Sequence, residues 1–307
     1  MIHLVTLNPA LDLELDLREP ARGKIGEVLF SGLEAGGKAL NIARFLGKFR
    51  VPLTAWLGTG GGSHPTHVLY RSLLEREGLK VRFLSAQAPL RLNVVVREGK
   101  KSRKYNHPGF ELDLVSFGQL DRAVKRSDLL VLTGRLPRGM NPSLYASWVT
   151  SFQRKGVRVI VDASGVALRQ ALLAKPWFFK VNLFELSEAF GQKFTRLAQV
   201  VKFWPKLIKA GLPHGAVTNG AEGALIWVGS EKCLVKSTRK VKSSIVVGAG
   251  DGFLAGYLRA FSAGKNFWDC ARVACATATV VAQTGIQGFE GPLVNKMVKS
   301  VKVTRCE

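Results

Sequence analysis

The chain has 307 residues, 47% of them hydrophobic, which excludes global disorder and leaves room for one large α/β domain or a large domain with a small appendage. Lys and Arg number 45 against 22 Asp and Glu, a formal charge of +23 that favours anionic partners such as phosphorylated metabolites, nucleic acid or a membrane surface. The basic residues are dispersed, with local clusters at 97–104, 236–242 and 296–305 and no aromatic-interleaved basic motif, so an enzyme with a basic surface is expected and nucleic acid only as a non-specific contact.

The N-terminal run Met1-Ile2-His3-Leu4-Val5-Thr6-Leu7 reads as a first buried strand and lacks the basic start and longer apolar stretch of a signal peptide. Period-two alternation in Leu11-Asp12-Leu13-Glu14-Leu15-Asp16-Leu17 predicts a strand with one wet face. A further strand at Glu27-Val28-Leu29-Phe30 leads to a turn at Gly36-Gly37, and a helix-patterned segment covers 40–46. The stretch 81–105 is again β-like, notably Leu92-Asn93-Val94-Val95-Val96, so the first third predicts a small open sheet. From about Ser116, buried strands at 128–133, 157–161, 178–181 and 215–218 alternate with helix-length amphipathic segments, the rhythm of a parallel sheet flanked by helices. The apolar run 274–282 is too short to span a bilayer, so no membrane association is expected. Cys233, Cys270, Cys275 and Cys306 form no Cys-x-x-Cys pair and have no His nearby at metal-ligand spacing; free thiols in a reducing, cytoplasmic setting are expected.

The segment Val247-Gly248-Ala249-Gly250-Asp251-Gly252-Phe253-Leu254-Ala255-Gly256 carries the clearest chemical signal. It follows the strand-like run Ser244-Ile245-Val246-Val247 and opens a helix-like run. Small residues let the backbone approach a phosphate, and the unpaired N–H groups of a first helical turn point at it. Asp251 on that turn is placed to take a proton from a hydroxyl beside the phosphate, which suggests phosphoryl transfer; an N-terminal cap with tight packing is the structural alternative.

Further markers arrive in a fixed order: Val5-Thr6-Leu7-Asn8-Pro9-Ala10-Leu11-Asp12, Gly36-Gly37-Lys38-Ala39-Leu40-Asn41-Ile42-Ala43-Arg44, Thr133-Gly134-Arg135-Leu136-Pro137-Arg138-Gly139, Val161-Asp162-Ala163-Ser164-Gly165, Lys180-Val181-Asn182-Leu183-Phe184-Glu185-Leu186, and Val217-Thr218-Asn219-Gly220-Ala221-Glu222-Gly223-Ala224. Together they resemble the PfkB carbohydrate kinases of the ribokinase-like superfamily, and within them the 1-phosphofructokinase and tagatose-6-phosphate kinase branch, over nearly the whole chain. The resemblance implies a ribokinase-like three-layer α/β/α fold with a mainly parallel central sheet. It also implies one kinase domain over residues 1–307, with a small β-sheet lid from discontinuous segments at about 11–35 and 90–106.

The same resemblance implies transfer of the γ-phosphoryl group of ATP, with Mg²⁺, to a hydroxyl of a phosphosugar, foremost fructose 1-phosphate to fructose 1,6-bisphosphate. Tagatose 6-phosphate and fructose 6-phosphate are alternative acceptors, and a non-catalytic nucleotide or sugar-phosphate binder is the alternative class. Asp251 is then the general base, and the amides around Gly248, Ala249 and Gly250 form the anion hole. Lys180, Asn182, Glu185, Thr218, Gly220 and Gly223 belong to the ATP and Mg²⁺ region, Glu185 meeting the metal through water; a helix cap at Asn182 and a β-hairpin around 215–228 are the structural alternatives.

Asp12, Gly36, Gly37 and Asn41 are assigned to sugar hydroxyls, with Asn93 on the strand bearing Arg91. Arg91 and Lys104, with Lys24 and Lys38, are assigned to the phosphate the sugar already bears, as cations on a closing lid. Family members often pair through their lids, so a homodimer is expected. Three departures stand out: Ala39 replaces a Gly near the sugar, Arg135 a Ser that can touch the phosphate, and Cys275 an Asn near adenine.

Overall fold

The computed structural model describes residues 1–18, 25–59, 62–84, 88–99, 101–112, 117–241 and 247–306. Lys24 and the run 244–246 lie outside the described residues. The chain opens with β1 (Ile2–Thr6), then β2 (Ala10–Arg18), β3 (Glu27–Gly36), α1 (Lys38–Gly47), β4 (Leu53–Leu57), α2 (Pro65–Glu77), β5 (Val81–Phe83), β6 (Arg91–Glu98) and β7 (Lys101–Asn106). After α3 (Phe117–Ala123) strands and helices alternate: β8 (Leu129–Thr133), α4 (Leu144–Arg154), β9 (Arg158–Asp162), α5 (Gly165–Leu173), β10 (Phe178–Asn182), α6 (Leu183–Phe190), α7 (Leu197–Lys209) and β11 (His214–Thr218). The chain closes with β12 (Ala224–Val228), β13 (Glu231–Ser237), α8 (Ala249–Ser262), α9 (Phe267–Thr284), α10 (Gly291–Val298) and β14 (Val301–Arg305).

Among the described residues, one sheet has ten strands in the order β14-β13-β12-β11-β10-β9-β8-β1-β4-β5. From β5 to β11 all neighbours are parallel; β12, β13 and β14 add an antiparallel wing. The central strands are apolar on both faces because helices cover both. Along β1, Ile2 and Leu4 enter a core built with α1, α2, α8, α9 and α10, whereas Val5 enters a second core built with α3 to α7. Three layers result. The strand β14 was hidden in the sequence: its basic residues read as surface charge, yet Val301 and Val303 alternate with Lys302 and pack on the core at the sheet edge.

The second sheet has four strands in the order β3-β2-β6-β7. Its register puts Leu11, Leu13 and Leu15 beside Leu92, Val94 and Val96 on one face, and Asp12, Glu14 and Asp16 beside Asn93, Val95 and Arg97 on the other. An ion pair between Arg97 and Glu14 confirms that alternation. β3 extends to Gly36, further than the apolar run at 27–30 indicated, so the Gly36-Gly37 turn falls at the exit from this sheet into α1.

The strands β11 and β12 form the antiparallel hairpin foreseen as an alternative, closed by a 3₁₀ turn at Gly220–Glu222. Gly223 leaves that turn at φ +102°, and a Cβ there would lie 2.0 Å from the Val235 carbonyl oxygen of β13. The glycine is therefore required by strand packing whatever passes above the turn. Gly223→Ala should lower the free energy of unfolding by about 2–3 kcal/mol, seen as a lower urea midpoint with an unchanged denaturant slope.

Candidate active site

The chain leaves β1 toward β4 on one side and returns to β8 on the other, which opens a crevice at the carboxyl ends of these strands. The register aligns Thr6, Thr133 and Asp162 abreast at that edge, with Asn182 and Thr218 abreast further along. Two helices, α1 and α8, begin at the same edge and bring side chains to Asp162 and to each other.

Asp162 ends β9 fully buried. Lys38, in the first turn of α1, donates to its Oδ1 at 2.8 Å, and Lys180 of β10 donates to its Oδ2 at 3.1 Å. A buried carboxylate needs such partners, since an isolated one would be neutralised. Burial pushes the Asp162 carboxyl up, but Lys180 and Lys38 outweigh it and hold the group below the usual carboxylate range. Lys38 also answers to Asp251 and Glu185; burial acts against its charge, yet these carboxylates keep it firmly protonated. This corrects the placement of Lys38 among lid cations for the sugar phosphate: it sits on the main body, paired to Asp162.

Asp251 lies in the first turn of α8, behind Gly248 in the left-handed conformation at φ +83°. The first intrahelical amide bond there runs from Gly252 N–H to Gly248 C=O at 2.8 Å, so the N–H groups of Ala249, Gly250 and Asp251 precede the ladder. Lys180 reaches the same turn: a Cβ on Gly250 would stand 2.9 Å from its Nζ. Asp251 makes no capping bond; Asn41 Nδ2 donates to its Oδ2 at 2.8 Å. Burial raises the Asp251 carboxyl above its ordinary range; Asp162 adds to this, while Lys38, Lys180 and the Asn41 bond act against it. The geometry thus unites Lys38, Asn41, Lys180, Gly250 and Asp251 around Asp162, a residue that the sequence motif contained but to which no role was given.

Asn182 caps α6, accepting from Glu185 N–H at 2.8 Å while Glu185 accepts from Asn182 N–H at 2.8 Å. Both residues therefore occupy a capping box, which fixes the helix start beside Lys180. Thr218 ends β11, its hydroxyl 3.4 Å from the Val181 carbonyl, and Gly220 opens the 3₁₀ turn at φ +48°. Glu222, unassigned from sequence, ties that turn down by accepting from Asn219 at 2.5 Å and from the first amide of α7, Leu197, at 3.0 Å.

On the small sheet, Asn93 donates to Asp12 Oδ1 at 2.7 Å. The Asp12 carboxylate lies so close to Gly36 that a Cβ there would be 2.1 Å from Oδ2, so only glycine admits this arrangement. Gly37 packs on Thr6 and Pro9, which brings the sheet exit to the end of β1. Arg91 is anchored by the carbonyls of Asn8, Pro9 and His107. Burial lowers the proton affinity of its guanidinium, Asp12 opposing this and Arg135 adding to it, so Arg135 lies within electrostatic reach of Arg91. Arg135 itself donates to Ser164 Oγ at 3.3 Å. Lys104 is exposed on β7 opposite Val95, on the Asp12 face of the sheet. Ala39 of α1 and Cys275 of α9 are buried in the same core.

Among the described residues no group of three or more His, Cys, Asp or Glu is placed to hold a metal ion. The site therefore fits a divalent ion carried mainly by phosphate and water oxygens, with Glu185 near Lys38 as the carboxylate in reach, and not a protein-built metal cage. Asp162→Asn should destabilise the fold by about 3 kcal/mol at neutral pH, because Lys180 stays buried without its counter-charge. In the parent protein this stabilisation is present above the unfolded carboxyl pKa of about 3.9 and is lost as pH falls through the lower folded value. Chemical unfolding across pH 2–6 should show that acid loss in the parent and a weaker one in the variant.

A family model for pfkB family carbohydrate kinases matches residues 13–288. The chain is 29% identical to the 1-phosphofructokinase of Bacillus subtilis strain 168 over 308 residues, spanning 99% of this chain and 100% of that protein. It is likewise 29% identical to the 1-phosphofructokinase of Escherichia coli K12, spanning 98% and 97%. The structure of phosphofructokinase-2 from Escherichia coli in complex with substrates and products superposes with a TM-score of 0.87 at 25% identity, covering 97% of this chain and 98% of that one. The ordered motifs, the three-layer fold with its second sheet and these full-length similarities agree: the chain belongs to the pfkB family of carbohydrate kinases.

Proposed function

We propose that the chain is an ATP-dependent phosphosugar kinase that converts fructose 1-phosphate to fructose 1,6-bisphosphate. The observation that carries this reading is the meeting of Asp251, the free first-turn amides of α8 and the Lys180 ammonium at one crevice. The sugar hydroxyl oxygen attacks the γ-phosphorus of ATP, Asp251 accepts the hydroxyl proton, and ADP departs. Phosphoryl transfer demands positioning and charge stabilisation more than covalent help, and amides at a helix start beside an ammonium supply both. Bound Mg²⁺ would neutralise charge on the phosphates, with Glu185 reaching it through water. Asp251 is held above the ordinary carboxylate range, which makes it a stronger proton acceptor once ionised.

The acceptor is read as a phosphosugar because the Arg91 guanidinium lies within electrostatic reach of both Asp12 and Arg135, so two cations are available to a dianion while Asp12, Asn93 and Asn41 address hydroxyls. Lys104 is a peripheral contributor on the same face. The curated relatives named 1-phosphofructokinase favour the 1-phosphate over the 6-phosphate isomers. No helix among the described residues is long and apolar enough to cross a membrane, and the thiols are free, which supports a cytoplasmic setting. The small sheet is read as a lid, and its exposed Val28, Leu92 and Tyr105 support pairing of two copies through the apolar face.

Purified protein should release ADP with fructose 1-phosphate, and absence of turnover across a phosphosugar panel would overturn the assignment. Asp251→Asn should keep ATP affinity while kcat falls by about two to four orders of magnitude. In the parent, kcat should fall as pH drops through a value above the ordinary carboxylate range, because protonated Asp251 cannot act as base. Arg91→Met should raise KM for the phosphosugar roughly 10- to 100-fold and leave KM for ATP unchanged, as steady-state kinetics would show.

A further inference from the structure

Asn41 Nδ2 donates to Asp251 Oδ2 at 2.8 Å, so the carboxylate meets the donor end of an amide that could equally present its oxygen. What decides the orientation lies on the far side. Asn41 Oδ1 accepts from Arg44 Nη1 at 3.0 Å, and a guanidinium has no acceptor to offer the other amide end. Arg44 is held in turn: its Nε and Nη2 bind both oxygens of Glu77 at 2.6 and 2.7 Å, and Nη2 also donates to the Ala35 carbonyl at 2.5 Å. Glu77 is the last residue of α2, and Ala35 lies one residue before the end of β3. The Arg44 side chain is only 12% exposed, a costly place for a cation without these partners.

We propose that Glu77 and Arg44 lock Asn41 in the one amide orientation that donates to Asp251, so that Arg44 is a positioning residue for the catalytic base. The proposal rests on the reading of Asp251 as that base. If the lock is lost, Asn41 is free to turn its oxygen toward the carboxylate, which removes a bond to the charged form and adds repulsion. Both effects favour the protonated acid.

The other groups facing Asp251 are Lys38 from α1, Asp162 from β9 and Lys180 from β10; none of them contacts Arg44. The groups facing Arg44 are Glu77 and Tyr70 from α2 and Glu34 from β3. The hydrogen-bonded path from Arg44 to Asp251 runs through Asn41; removal of the Glu77 charge would by itself lower the Asp251 carboxyl, opposite to loss of the lock.

The test compares the parent with Arg44→Met, Arg44→Lys and Glu77→Gln in two measurements: the pH profile of kcat, and the titration of the Asp251 carboxyl carbon by NMR in the ligand-free protein. The lock predicts that the acid limb and the carboxyl titration both move up by roughly one pH unit in Arg44→Met, with smaller shifts in Glu77→Gln and Arg44→Lys. A purely structural role would lower the unfolding midpoint and leave both in place, and that outcome in the folded variants overturns the proposal. Should Arg44→Met fail to fold, Glu77→Gln, further from the crevice, decides by the same criteria. A parent without turnover would defeat the kinase reading alone, since the carboxyl titration still decides whether Arg44 acts on Asp251.

Discussion

The buried carboxylate of Asp162 is the constraint around which the crevice is organised. It terminates a central strand, has no exposure, and is neutralised by cations from two directions, Lys180 from the adjacent strand and Lys38 from α1. Neither lysine is free to swing out without leaving a buried charge, which costs several kcal/mol. The pairing therefore pins the start of α1 to the sheet and holds Lys180 beside Gly250. With α1 fixed, Asn41 stands one turn further along it, at hydrogen-bond distance from Asp251. One ionic contact thus sets the relative position of two helix starts and one strand end. That arrangement is preorganisation in the physical sense, because the charges are placed before any substrate arrives.

The balance of charge around this point matters as much as its geometry. Two lysines face two aspartates, and the asymmetry between the aspartates divides their roles. Asp162 receives both ammonium groups directly and stays ionised. Asp251 has no ammonium bonded to it directly; burial, with Asp162 as a like charge, raises its proton affinity against the pull of Lys38, Lys180 and the Asn41 amide bond. Neighbouring carboxylates driven apart in this way separate a structural anion from a proton acceptor. The same lysines that hold Asp162 also lend positive potential to the first turn of α8, where the phosphoryl group is proposed to pass.

Much of this was legible in the sequence, for identifiable reasons. Strands buried on both faces announce themselves as unbroken apolar runs, and 129–133 and 178–181 did so. The turn before Asp251 was legible as a helix start, since small residues open α8 there behind Gly248 at a positive φ. Other features were hidden by composition. In β14, Lys302 between Val301 and Val303, with Arg305 beyond them, masked a period-two apolar pattern. Lys38 looked like a solvent-facing cation because its partner Asp162 lies 124 residues away, beyond any local pattern. The Glu77–Arg44 pair spans two helices and was silent for the same reason. Asn182 and Glu185 illustrate a different limit: one spacing serves both a capping box and a metal-region motif, and the geometry realises the cap in full.

The small sheet is shaped by a separate constraint. Its alternation sends Asp12 and Asn93 to one face and a leucine-valine stripe to the other, so one strand pair presents a polar floor and an apolar back. Gly36 lets the backbone pass against the Asp12 carboxylate, and Tyr70 of α2 donates to the Gly36 carbonyl at 2.8 Å, fastening this turn to the main body. Ala35, the neighbouring residue, accepts from Arg44. The strand that positions Asp12 and the helix that positions Asn41 are therefore tied through α2. The Asp12 carboxylate and the Asn41 amide are therefore held by one connected set of contacts running through β3, α1 and α2.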